Sequence, residues 1–381
     1  MSMRVSMLVP GLARGGMTRA YSLASALRLL EAEVEIVGPL ARSEEIYPAP
    51  PAGITVKPVA FAPLARRTWE TQRAARGDVL YAIKPRMTSF GLAMICRGRR
   101  PVFLDIDDRE PEFHAEQFRN TGKGSIRRRA RRRYKRARNL DDAAYTRFME
   151  YFTGRARAVT ANSRLLCEHF GAVHVPSAKD TSHFDPARFD ADDCRRRLGL
   201  DGMRVVMFPG TPRPHKGVED TLEALAMLGW RDAKLALVGG REVGQAYADT
   251  LQARYGEWML RLPRFGVEDM PAVVAAAHVV AVPQRDTPVA RAQFPMKITD
   301  AMAMAKPIIS TRVGDIEEAL DGAAWLVAPS SPRAIARALE DVFADPAEAA
   351  RRGREARRRC ETTYSAVAVA KIMRGVLEGC G

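Results

Sequence analysis

The chain has 381 residues, 46% hydrophobic and 28% charged, and a formal net charge of +15. That length allows two or three domains with substantial cores, and the charge calls for an anionic partner: nucleic acid, an acidic membrane surface or a phosphorylated substrate. No apolar run reaches the ~18 residues of a membrane span, residue 4 is already in an apolar strand, and the five cysteines are scattered without a CxxC pair, so a spanning or secreted protein and a metal site are not expected, while reduced cytoplasmic thiols are.

Residues 4–10 read as a buried first strand, followed by Gly11-Leu-Ala-Arg-Gly15-Gly16, a helical pattern with Leu23, Ala24, Leu27 and Leu30 at core spacing, and a second strand over 34–37. This βαβ opening predicts a doubly wound parallel sheet. The glycines lack the G-x-G-x-x-G spacing, so a nicotinamide enzyme is weakly indicated, and Gly11 is as well explained by a turn needing φ > 0. Another strand runs from 78 into Lys84-Pro85-Arg86. Strand ends in such sheets face the ligand crevice, so Lys84 either reaches a phosphate or an acceptor, or is a solvated lysine. Residues 101–108 repeat the plan and end in acid. Alternation puts Asp105 and Asp107 on one face and Asp108 on the other, which speaks against a three-carboxylate metal site. A carboxylate at a strand end, Asp107 or Asp108, can orient a bound hydroxyl and take its proton.

Residues 123–138 carry ten Lys or Arg. As a helix they leave one thin apolar stripe (Ile126, Ala130, Tyr134, Ala137) with cations on the other faces. Such a helix lies on an anionic membrane or grips a lipid-linked or phosphorylated glycan. The alternatives are a solvated arm and nucleic acid, the last poorly supported because no aromatic ladder is interleaved.

A strand over 158–161 meets the cap Asn162-Ser163 and a helix over 164–170, and a linker is expected near 177–195. The βα rhythm then restarts. Strand 204–208 breaks into Gly210-Thr-Pro-Arg-Pro-His-Lys216-Gly217 and helix 218–228, a geometry that offers backbone N–H groups and a helix N-terminus to an anion, with Arg213 and Lys216 within reach. A strand over 234–238 ends in Gly239-Gly240, and another over 279–282 ends at Pro283. After them come Phe294-Pro295-Met-Lys297-Ile298-Thr-Asp300 and Lys306-Pro307.

The loop Gly210–Gly217 resembles the donor-site loop of GT-B glycosyltransferases, nearest to the retaining enzymes of glycosyltransferase family 4. The resemblance extends to the Gly15-Gly16 pair, the Asp180-x-x-x-Phe184-x-Pro186 linker, Glu268-Asp269-Met270-Pro271 and the segment 292–311, and so covers most of the chain. It implies an α/β GT-B fold, two Rossmann-like doubly wound domains facing each other across a cleft: residues 1–185 on the acceptor side, 186–360 on the nucleotide-sugar side, and a closing helix over 361–381 that crosses back. It implies a retaining, cytoplasmic enzyme, peripheral on the membrane where the basic helix attaches, without bound cofactor or metal. Its co-substrate would be a nucleotide-diphosphate sugar, UDP- or GDP-linked first, and its acceptor a glycan, a lipid-linked glycan or a small molecule. By the same resemblance Lys216, Arg213 and Asp107 are the catalytic candidates. Gly15, Gly16, Gly210, Thr211, Gly239, Lys297, Ile298 and Asp300 would bind the donor, and Lys84, Asp108 and His114 would lie on the acceptor side. Three positions depart from the family pattern. Asp107 stands where many members carry a histidine, unless the alignment slips to His114; Thr211 stands where an arginine is usual; and Ala292 takes the first acid of the E-x7-E pair whose second place is Asp300. A non-catalytic GT-B relative acting as a binding module is the alternative.

Overall fold

The computed structural model describes residues 3–13, 16–109, 140, 142–239 and 244–379. The chain divides into two compact units, Met1–Ala178 with Val369–Gly381, and Lys179–Ala368. His114, Gly15 and the basic stretch 123–138 lie outside the described residues.

The first unit is built on a seven-stranded parallel sheet of order β3-β2-β1-β4-β5-β6-β7. Its strands are β1 Arg4–Leu8, β2 Glu33–Leu40, β3 Thr55–Ala60, β4 Val79–Ile83, β5 Val102–Ile106, β6 Ala158–Ala161 and β7 Val173–His174. The helix Met17–Arg28 follows β1 and buries Leu23, Ala24 and Leu27. Ser163 caps the helix Arg164–Phe170 by accepting from the Leu166 N–H, and Gly171 ends it at φ 60°. β2 runs past the expected 34–37 because Gly38 and Pro39 keep pairing with β3. Gly38 lies against Val9, whose Cγ2 would stand 2.5 Å from a Cβ there, so the glycine is a packing choice and not a turn.

The second unit is a six-stranded parallel sheet of order β10-β9-β8-β11-β12-β13. Its strands are β8 Arg204–Phe208, β9 Ala233–Val238, β10 Met259–Leu262, β11 Val279–Val282, β12 Ile308–Thr311 and β13 Trp325–Val327. Alternate residues feed two different cores. Val205, Met207, Ala236, Val238, Val280 and Val282 pack on one side; Val206, Phe208, Leu235, Leu237, Val279 and Ala281 pack on the other. A sheet apolar on both faces must be covered on both, which is why its strands read as continuous hydrophobic runs. Lys179, the first residue of this unit, is bridged in parallel to Ser365. No described helix is long and apolar enough to cross a membrane.

Candidate functional site

The C-terminal edge of β8 holds the loop Gly210–Gly217, and two glycines decide its shape. Gly210 sits at φ +151°, and a Cβ there would lie 2.4 Å from the Lys297 Cε. Gly217 sits at φ +66°, and its Cβ would lie 1.8 Å from the Pro283 carbonyl oxygen. Between them Pro214–Lys216 form one 3-10 turn, and the helix Val218–Leu228 begins. Arg285, just past β11, ties this together. Its N–H donates to the His215 carbonyl at 2.9 Å, and its guanidinium reaches Asp220 at 2.5 and 2.9 Å and Glu219 at 3.1 Å in the first turn of that helix. Lys216 Nζ donates to the Thr211 carbonyl at 3.3 Å, and Lys297 Nζ stands 5.5 Å from the centroid of the Phe208 ring.

Lys216, Arg213 and Lys297 therefore gather over Gly210. Burial holds Lys297 below the ordinary lysine range, Arg213 pushes the same way, and Asp300 opposes them. The buried His215 is pushed down to about 3, first by burial and then by Lys216, Arg213 and Lys297, so its imidazole is neutral at pH 7. The unfolded chain takes up that proton near pH 6.5 while the folded chain does not, so stability falls as pH drops below 6.5. By pH 5 His215 alone accounts for about 2 kcal/mol of loss, before most carboxylates titrate. Denaturant unfolding at pH 7 and pH 5 checks this: His215→Asn should show a fall smaller by about that amount.

Lys297 and Asp300 share one face of the helix Met296–Ala303. Asp300 lies in its second turn, and Pro295 takes the cap position. It therefore cannot cap the helix; its Oδ1 accepts instead from the Lys179 ammonium. Thr299 donates its hydroxyl back to the Met296 carbonyl at 2.8 Å. Ile298 is fully buried in the core and spends its N–H on the Pro295 carbonyl, so it supports the helix and presents no free donor. Ala292 is fully buried. Gly239 closes β9 at φ +84°, with Arg264 Cγ 3.7 Å from a would-be Cβ.

In the first unit Lys84 is buried at φ +70°, an uncommon backbone for a residue with a side chain. Its ammonium meets Asp107 at 3.1 Å and Asp108 at 2.6 Å. A Cβ on Gly16 (φ +119°) would lie 3.7 Å from the Lys84 Cε. The expected split of Asp107 and Asp108 across a strand is corrected here: β5 ends at Ile106, so strand alternation no longer governs them, and both turn to Lys84. Asp105 parts company with both. It lies in β5, fully buried, and takes a two-pronged contact from Arg19, with Nε to Oδ2 at 2.9 Å and Nη2 to Oδ1 at 2.7 Å.

Residues 203–345 match the family model of the group 1 glycosyl transferases. That segment lies within the second unit and is similar to the group 1 glycosyl transferases. Across 229 residues the chain is 30% identical to a D-inositol 3-phosphate glycosyltransferase of Kineococcus radiotolerans, covering 53% of this chain and 51% of that one. It is 29% identical over 202 residues to an MMP alpha-(1->4)-mannosyltransferase of Mycolicibacterium hassiacum, covering 51% and 45%. The chain thus spans about half the length of the curated relatives it matches. HepE of Anabaena, solved with UDP and glucose, superposes with a TM-score of 0.72 at 18% identity, over 99% of this chain and all of that one. The fold is that of the GT-B glycosyltransferases, two α/β domains each built on a parallel sheet.

The matched segment contains Gly210, Thr211, Arg213, Lys216, Lys297 and Asp300, and the structure brings them to one sheet edge. Gly16, Lys84, Asp107 and Asp108 gather in the other unit. Arg19, Lys179 and Arg285, which hold these clusters in place, carried no motif in the sequence; a buried arginine inside an otherwise apolar helix face was the one available hint.

Proposed function

We propose that the chain is a retaining glycosyltransferase of family 4 that moves a sugar from a nucleotide-diphosphate sugar to a hydroxyl of a glycan, a glycolipid or a small molecule. The observation that carries this is the gathering of Lys216, Arg213 and Lys297 over Gly210, beside a helix start at the edge of a parallel sheet. Negative charge develops on the departing diphosphate, and preorganised cations at that point lower the barrier without rearranging. Asp300 accepts from the ribose. In the first unit Gly16 leaves room for the diphosphate or the acceptor, and Asp107 and Asp108, held by Lys84, orient the acceptor hydroxyl. Relatives support the reading by name: a D-inositol 3-phosphate glycosyltransferase, a mannosyltransferase, and HepE, solved with UDP-glucose.

Thermal unfolding against UDP, GDP, ADP, CMP and dTDP, each with and without Mg²⁺, tests it. A ligand at 100 times its Kd adds ~2.7 kcal/mol to stability. One nucleoside diphosphate should stabilise without metal, and Lys216→Ala should weaken that shift. No shift from any of them sinks the reading. A second reading, a binding module without turnover, is favoured by one observation: the buried Ala292 offers no carboxylate to a donor sugar. Nucleotide binding with no release of nucleoside diphosphate from any nucleotide sugar would select it. The stretch 123–138 gives the proposed transferase its attachment to an anionic membrane face. Vesicles containing anionic lipid should co-sediment the protein and neutral vesicles should not; equal binding to both removes the attachment.

A further inference from the structure

Asp105, Asp220 and Asp300 each rest on one buried or half-buried cation, and they differ in one respect. Asp105 has both oxygens engaged, by Arg19 and by Thr160. Asp220 has both engaged by Arg285. Asp300 has only Oδ1 engaged, by Lys179, and among the described residues nothing donates to Oδ2. Asp300 is largely buried, and the oxygen its lysine leaves unused keeps lone pairs that a ligand hydroxyl can donate to.

Lys179 is built to hold that arrangement. Only 8% of it is exposed, and its ammonium lies between Asp300 and the Phe184 ring, 4.2 Å from the centroid. Its backbone is fixed as well. The Lys179 N–H donates to the Tyr364 carbonyl at 2.7 Å, and its own carbonyl accepts from Ala366 at 2.8 Å. A residue pinned at both backbone groups, with its side chain between a ring and a carboxylate, has little freedom to release its partner. Lys297, one turn from Asp300 on the same helix, does not take this role because its side chain is laid over Gly210 towards Phe208. The pairing also cancels the charge of Asp300 beside a cluster meant for a diphosphate. An unpaired carboxylate there would repel the ligand that the other cations attract.

We infer that Lys179 is a positioning residue for the donor: it locks Asp300 so that Oδ2 accepts from one ribose hydroxyl, and so sets the preference of the site for a ribonucleotide over a deoxyribonucleotide. This rests on the nucleotide-sugar reading and names a determinant of it. A contact supported by a fixed partner discriminates; one free to rotate finds water when the hydroxyl is missing.

Calorimetric titration of UDP and GDP, with their 2′-deoxy and 3′-deoxy forms, into the full chain tests it. The wild type should bind one of the two ribonucleotides about tenfold or more tighter than one of its deoxy forms, the size of a charge-assisted hydrogen bond. In Lys179→Met that ratio should fall to about twofold or less while affinity for the deoxy form stays within about threefold, since coupled contacts lose energy together and not additively. Asp300→Asn should show the same collapse, and Lys179→Arg, which keeps the charge, should retain most of the ratio. A Lys179→Met protein that keeps the wild-type ratio overturns the inference. So does one that loses affinity for ribo and deoxy forms equally, because that is the mark of a merely structural pair. A wild type that binds UDP or GDP without preferring the ribose form overturns the inference alone, whereas a wild type that binds neither overturns the nucleotide-sugar reading with it.

Discussion

Replacing Lys216 by alanine should lower turnover of the nucleotide-sugar substrate by about a hundredfold or more, the cost of removing one preorganised electrostatic donor from a transition state. The size follows from placement. Lys216 ends the single 3-10 turn, and its ammonium is steadied by the Thr211 carbonyl at 3.3 Å. The turn cannot drift, because Gly217 is pressed against the Pro283 carbonyl and the His215 carbonyl is held by Arg285. A cation on so fixed a base needs no reorganisation when charge appears on the leaving diphosphate. The loss should fall on kcat more than on KM, since the interaction strengthens as the bond breaks. Lys216 is half-buried and its head group donates to a carbonyl, so unfolding free energy should change by about 0.5 kcal/mol or less. Steady-state kinetics beside a denaturation curve check both halves. Near-normal kcat in a folded variant would remove Lys216 from the chemistry.

Much of this architecture was legible in the chain. Strand 204–208 and helix 218–228 fall where the apolar run and the helical spacing put them, because a strand covered on both faces and a helix with Leu222 and Leu225 inward leave little choice of pattern. The glycines at 210 and 217 were legible as a turn, but not their cause: a lysine lying across one and a carbonyl against the other are contacts between segments about 70 to 90 residues apart. The same limit hid the second-layer partners. Lys179 sits 121 positions from Asp300 and Arg19 sits 86 from Asp105, and no local spacing encodes either pair. Local rules also misled where a local device was absent. Asp300, in the second turn of a helix capped by Pro295, pairs with a distant lysine that no local rule points to. Asp107 and Asp108 looked like opposite faces of a strand that in fact ends at Ile106.

Arg19→Met should destabilise the protein by about 3–5 kcal/mol, the cost of leaving a buried carboxylate without its partner. Arg19 is 1% exposed and Asp105 fully buried. Besides Asp105, Arg19 donates to the Val175 carbonyl at 2.7 Å and the Ser177 hydroxyl at 3.3 Å, while Asp105 also accepts from Thr160 at 2.8 Å. One side chain thus ties the first turn of the helix Met17–Arg28 to β5 and to the segment after β7. Replacing both partners, Arg19→Met with Asp105→Leu, removes the stranded charge along with its counter-ion, and apolar replacements of a buried pair are often neutral or better. The double variant should therefore be more stable than Arg19→Met alone, with a coupling energy of about 0.5–3 kcal/mol in a double-mutant cycle by denaturant unfolding. Additive losses would mean that Arg19 acts through its bonds to Val175 and Ser177 and not through the carboxylate. Turnover should separate the two roles further. Gly16 lies three residues before Arg19, and Asp107 two after Asp105, so a double variant that regains stability but not turnover would show the pair fixing the Lys84 cluster as well as the fold.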